Sequence, residues 1–143
     1  MTEELKERLL ALADKFEVSS FCDQDPSQFL RWYSVGQAGT EFADANATSG
    51  NVTSANVTDI ESAAFLAAML AFGNRKLFIP KIRSVLEMAD KACGSFSRWL
   101  RSGTFKKDFP KGSEKFYRFY SYDDMQIFFE ELAGLLEKAP SLG

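Results

Sequence analysis

Apolar residues recur along this chain at spacings of three and four, the period of an amphipathic helix rather than of a strand. Leu5, Leu9, Leu12 and Phe16 form one stripe, which predicts a helix over 3–16 docked on a core. Asp25-Pro26-Ser27-Gln28 predicts a second helix start. Asp25 is suited to cap it, Pro26 to take the first helical position and Gln28 to return a bond to the cap. That helix would carry Phe29, Leu30, Trp32 and Tyr33 and stop near Gly36. Thr58-Asp59-Ile60-Glu61 reads as a capping box. The segment after it, from Ala63 to Phe72, is apolar nearly all round and Ala-rich, so it is expected to be the central buried helix. Gly73 suits the left-handed position after a helix end.

Asn74 is placed to cap the next helix, whose apolar positions are Ile79, Ile82, Leu86, Ala89 and Cys93. Pro80 fits only in its first turn, or else kinks it. Cys93 reads as a small core residue and Gly94 as the stop. A short helix with Phe96, Trp99 and Leu100 follows. Residues 103–115 read as a loop, and Phe116 to Tyr120 as either helical or extended. Ser121-Tyr122-Asp123-Asp124 caps a last helix carrying Met125, Phe128, Phe129, Leu132, Leu135 and Leu136, which ends before Pro140. One stretch breaks the pattern. Asn46-Ala-Thr-Ser-Gly, Asn51-Val-Thr-Ser-Ala and Asn56-Val-Thr-Asp form a polar near-repeat, so a flexible loop is expected over 40–57.

The chain has 143 residues, 45% of them hydrophobic, which suits one domain over 1–143 and excludes a disordered chain. The N-terminus is charged and acidic, and the longest apolar stretch is too short to span a bilayer. Neither a signal peptide nor a membrane span is therefore expected, and a cytoplasmic location is. The only cysteines, Cys22 and Cys93, are expected to be reduced. There is no histidine, which removes His-based triads, His-ligated metals and His acid–base pairs. Neither a metal nor a cofactor is expected.

Charge is unevenly spread. Residues 1–72 hold 4 Lys/Arg against 11 Asp/Glu, residues 73–120 hold 12 against 4, and residues 121–143 hold 1 against 5. The basic middle third is the electrostatic footprint of a polyanion partner. Trp99, Phe105, Phe109, Phe116, Tyr117 and Tyr120 are interleaved with it and are candidates to stack on unpaired bases. The competing reading is that the cations are solvated and the aromatics are core.

Several segments resemble a bacterial family of unknown function. They are Asp25-Pro26-Ser27-Gln28-Phe29, Asp59-Ile60-Glu61-Ser62-Ala63-Ala64-Phe65-Leu66-Ala67-Ala68, and Leu70-Ala71-Phe72-Gly73-Asn74-Arg75-Lys76. Phe116-Tyr117-Arg118-Phe119-Tyr120, Asp123-Asp124, Phe128-Phe129 and the final Ser141-Leu142 fit the same family. Its mark is an Ala-rich helix ending in Tyr/Phe-Gly-Asn-Arg-Lys. The family is distantly similar to helix-hairpin-helix DNA glycosylases and continues beyond this chain, in the part that would carry the hairpin and the catalytic Lys and Asp. The loop before Asp59 is also longer than its pattern. The resemblance therefore implies the N-terminal half of a glycosylase-like fold, with no catalytic residue to carry over.

The expectation is an all-α, single-domain fold of about six helices. The function expected is nucleic-acid binding, on DNA, without catalysis by this chain alone. Gly73, Asn74, Arg75, Lys76, Lys81 and Arg83 are the candidate contacts. Gly73 would allow close approach, Asn74 would be a wedge or base contact, and Arg75 and Lys76 would neutralise phosphates. Equally, Gly73 and Asn74 would serve as ordinary caps. The alternative function is a protein-interaction or oligomerisation module, with a homodimer formed through the last helix.

Overall fold

A computed structural model of the chain describes residues 3–16, 24–33, 54–139 and 142. Its elements in order are α1 (Glu3–Phe16), a 3-10 helix (Pro26–Arg31), α2 (Ser54–Leu70), α3 (Arg75–Cys93), α4 (Phe96–Arg101) and α5 (Phe105–Asp108). The strands β1 (Lys115–Tyr117) and β2 (Tyr120–Ser121) and the helix α6 (Tyr122–Lys138) complete them. The fold is mostly helical, as the periodicity predicts. Among the described residues the only sheet is the antiparallel β1–β2 hairpin, which pairs Lys115 with Ser121 and Tyr117 with Tyr120.

Several helix boundaries follow from local chemistry. Asp25 Oδ1 accepts from Ser27 N at 3.0 Å, with Pro26 next to it, and this N–H holds the Asp25 carboxyl below its ordinary range. The segment it starts is a 3-10 helix, not the longer helix expected, and the predicted stop near Gly36 lies outside the described residues. At α6, Ser121 Oγ accepts from Asp124 N while the Asp124 carboxylate accepts from Ser121 N and Oγ. That reciprocal box holds the Asp124 carboxyl below its ordinary range. Gly94, at φ 67, ends α3 in the left-handed conformation.

Other expectations are corrected. α2 begins at Ser54, so Thr58 to Glu61 lie within the helix and are not its cap. Residues 54–57 of the expected loop are thus the first turn of α2, while 40–53 lie outside the described residues, as does Cys22. α2 is buried on one face only. Ala63, Leu66, Ala67 and Leu70 are inside, but Phe65, Ala68 and Met69 are exposed. The stripe of α1 is not docked, since Leu5, Leu9 and Leu12 are all about half exposed. Pro80 sits past the first turn of α3, where it removes one ladder bond. The loop expected over 103–115 contains the short helix α5.

The core is built by α2 to α6 and the 3-10 helix. Trp99 is fully buried with its ring 5.3 Å from Phe129 and 5.9 Å from Phe105, and its Nε1 donates to Asp108 Oδ2 at 3.0 Å. Asp90 on α3 accepts from Trp32 Nε1 at 2.7 Å and Tyr33 Oη at 2.6 Å, fixing the end of the 3-10 segment. Burial and that carboxylate acceptor push the Tyr33 phenol far above its usual range. Asp59, buried in α2, accepts from Ser95 Oγ at 2.7 Å and Ser97 N at 2.8 Å, so it supports the start of α4.

Candidate nucleic-acid interface

α2 and α3 are joined by Ala71, Phe72, Gly73 and Asn74. Gly73 has φ +84, a conformation that L side chains rarely adopt. Asn74 is extended, and its Oδ1 accepts from Lys76 N at 2.9 Å, so it is the N-cap of α3. Gly73, Asn74, Arg75 and Lys76 are all exposed, at the positive end of a 19-residue helix. The Arg75 guanidinium lies 3.4 Å from Asp25 Oδ2, which ties the 3-10 segment to this junction.

The β1–β2 hairpin packs against the same junction. Tyr117 Oη donates to the Phe72 carbonyl. The Phe119 ring stacks on Phe72, with centroids 4.9 Å apart and planes 13° from parallel. Between them, Arg118 has φ 54, the one positive φ among the described non-glycine residues. Its side chain lies over Gly73, where a Cβ would stand 2.5 Å from Nη2. The hairpin thus delivers a third cation and an exposed aromatic ring to the Gly73–Lys76 junction, from more than forty residues away.

The remaining sequence candidates are placed differently. Lys81 is half-buried, with Nζ 4.9 Å from the centre of the Phe116 ring. Arg83 is half-buried too, donating to Gln28 Oε1 at 2.7 Å and lying 5.5 Å from the Trp32 ring. At about 100° per residue these two lie on opposite flanks of α3, so they do not converge. Arg83 clamps the 3-10 segment to the helix.

The aromatic candidates are corrected more sharply. Trp99, Phe105, Phe109, Phe116 and Tyr117 are buried, and Tyr120 is half-buried. Phe119, which sequence reasoning did not single out, is 64% exposed. Alternation in Phe116-Tyr117-Arg118-Phe119-Tyr120 was too poor to signal a strand. The two-residue turn between β1 and β2 is what turns Arg118 and Phe119 outward.

Among the described residues no group of three or more His, Cys, Asp or Glu is placed to hold a metal ion, and no helix is long and apolar enough to cross a membrane. Residues 51–143 match a family described as a protein of unknown function, DUF2400, and the chain belongs to that family. No curated protein and no solved structure matches it.

Proposed function

We propose that this chain, as a member of that family, binds nucleic acid, DNA by preference, at the Gly73–Lys76 junction. The observation that carries the reading is the approach of Arg118 to Gly73. It adds a cation to an exposed helix N-terminus already bearing Arg75 and Lys76, an arrangement suited to phosphate. A distant likeness to helix-hairpin-helix glycosylases is part of the proposal. In that geometry Asn74 would reach toward the base stack from the junction after the Ala-rich helix. No catalytic role is assigned to any residue.

The test is binding of a fluorescent DNA duplex across a salt series. Affinity should fall steeply with salt, and Lys76→Ala or Arg118→Ala should each flatten the slope by about one unit while weakening all sequences alike. Asn74→Ala removes the cap and should cost about 1 kcal/mol of stability. A separate loss of preference for distorted over intact duplex would mark Asn74 as a base contact as well. Salt-insensitive binding, or none, removes the reading.

A second reading, a protein-interaction module, is favoured by a different observation. Phe65 and Met69 on α2 are exposed beside Phe128 of α6, whose ring lies parallel to that of Phe65 at 5.9 Å. Leu135 of α6 is exposed as well. Exposed apolar surface of this kind marks interaction sites.

A further inference from the structure

Large apolar side chains at a surface are commonplace singly, but Phe119 is held in place. One face of its ring is occupied by Phe72 at 4.9 Å, and Tyr120 packs against it at 4.8 Å. Its own carbonyl accepts from Lys115 Nζ at 3.0 Å, and the Tyr117–Phe72 bond fixes the strand before it. The ring nevertheless remains 64% exposed. Cations flank this position: Arg118 precedes it in the chain, Lys115 bonds its carbonyl, and Phe72, on which it stacks, lies three residues before Arg75.

We infer that Phe119 is a stacking platform for an unpaired base, so that the preferred ligand is single-stranded or locally opened nucleic acid. The inference rests on the nucleic-acid reading above and narrows its substrate class. A flat apolar surface with cations at its rim matches a ligand that is itself a flat ring attached to phosphate. Within an intact duplex both faces of each base are covered by neighbours, so only an unpaired or extruded base can use the ring. Arg118 and Lys115 would then hold the flanking phosphates. Because Phe119 already rests on Phe72, its orientation is set before the ligand arrives, which lowers the ordering cost of binding.

The experiment compares the full chain with Phe119→Ala and Phe119→Trp, titrated with a short thymidine oligonucleotide, an abasic oligonucleotide of equal length and a duplex. Phe119→Ala should bind the thymidine strand roughly 5- to 100-fold more weakly, with an unchanged salt slope, and Phe119→Trp should retain affinity. The abasic strand should bind the wild-type chain no better than the thymidine strand binds Phe119→Ala. Phe119→Leu, which keeps apolar contact with Phe72 but offers no flat face, should lose affinity as Phe119→Ala does, so a folding defect in either variant is recognised by its melting curve. Equal affinity of wild type and Phe119→Ala for the thymidine strand overturns the platform while leaving phosphate binding intact. A wild-type chain with no salt-sensitive binding to any of the three overturns the underlying reading instead. Loss of self-association in Phe119→Ala with unchanged oligonucleotide binding assigns the ring to a protein contact and likewise overturns the platform.

Discussion

Gly73 was legible as a residue because a glycine directly after an apolar helical run has a recognised conformational use, and its φ of +84 agrees. Its neighbour across space was not legible. Arg118 reaches it through the hairpin, and no local pattern connects positions so far apart in sequence. The two facts make a joint prediction. Gly73→Ala adds a Cβ in a conformation that costs an L residue about 1–2 kcal/mol. It also places that Cβ 2.5 Å from the Arg118 guanidinium, the far end of a flexible side chain that can move away. Stability should therefore fall by about the backbone penalty, read as a lower denaturation midpoint, and DNA affinity should fall along with it as Arg118 is displaced. Gly73→Ala combined with Arg118→Ala should restore little stability, because the backbone penalty remains. If the double variant regains the wild-type midpoint, the clash and not the φ is the dominant cost.

At the scale of elements, the helices that the sequence marked best were those with a stop or cap chemically distinct from their neighbours. Gly94, Ser121 with Asp124, and Asn74 each act locally, so a few residues suffice to read them. The Thr58–Glu61 motif failed because the helix already begins a turn earlier, at Ser54, and the Glu61 carboxylate accepts from Leu142 N at 2.8 Å. A capping box in sequence is short enough to occur inside a helix whose carboxylate serves elsewhere. One face of α2 stays exposed although its sequence is apolar nearly all round, because an all-apolar segment has no periodicity to say which face is inside. The structure separates two adjacent alanines that sequence treats alike: Ala67 is buried and Ala68 exposed. Ala67→Leu should overpack the core and cost about 1–3 kcal/mol. Ala68→Leu should stay within about 0.5 kcal/mol of wild type. Chemical denaturation of both variants checks this, and equal losses would mean that α2 packs on both sides.

The whole molecule carries two surfaces that composition alone could not locate. The basic middle third became partly structural, with Arg83 clamping the 3-10 segment and Lys81 resting on Phe116, while Arg118 of the hairpin is brought to the junction that bears Arg75 and Lys76. The apolar excess was placed partly outside. On α6, Phe129, Leu132 and Leu136 are buried, so the last helix is not bare along its length, but Leu135 is 49% exposed. With Phe65, at 42%, and Met69 it leaves apolar area on the α2 and α6 helices, while α1 presents Leu5, Leu9 and Leu12. An amphipathic helix of 14 residues is marginal in water unless its stripe is covered. Symmetric pairing of two copies is a common way to cover such faces, and it predicts a dimer. Sedimentation equilibrium across a concentration series should give a mass rising toward twice that of the chain. Met69→Lys with Leu135→Lys should return it to monomer if the α2–α6 face is the seam, whereas Leu5→Ser with Leu9→Ser should do so if α1 is. Because all four positions are already solvent-exposed, neither pair should lower the melting temperature of the monomer much. A wild-type chain that stays monomeric at high micromolar concentration defeats self-pairing, and the apolar surface must then be matched to a different protein.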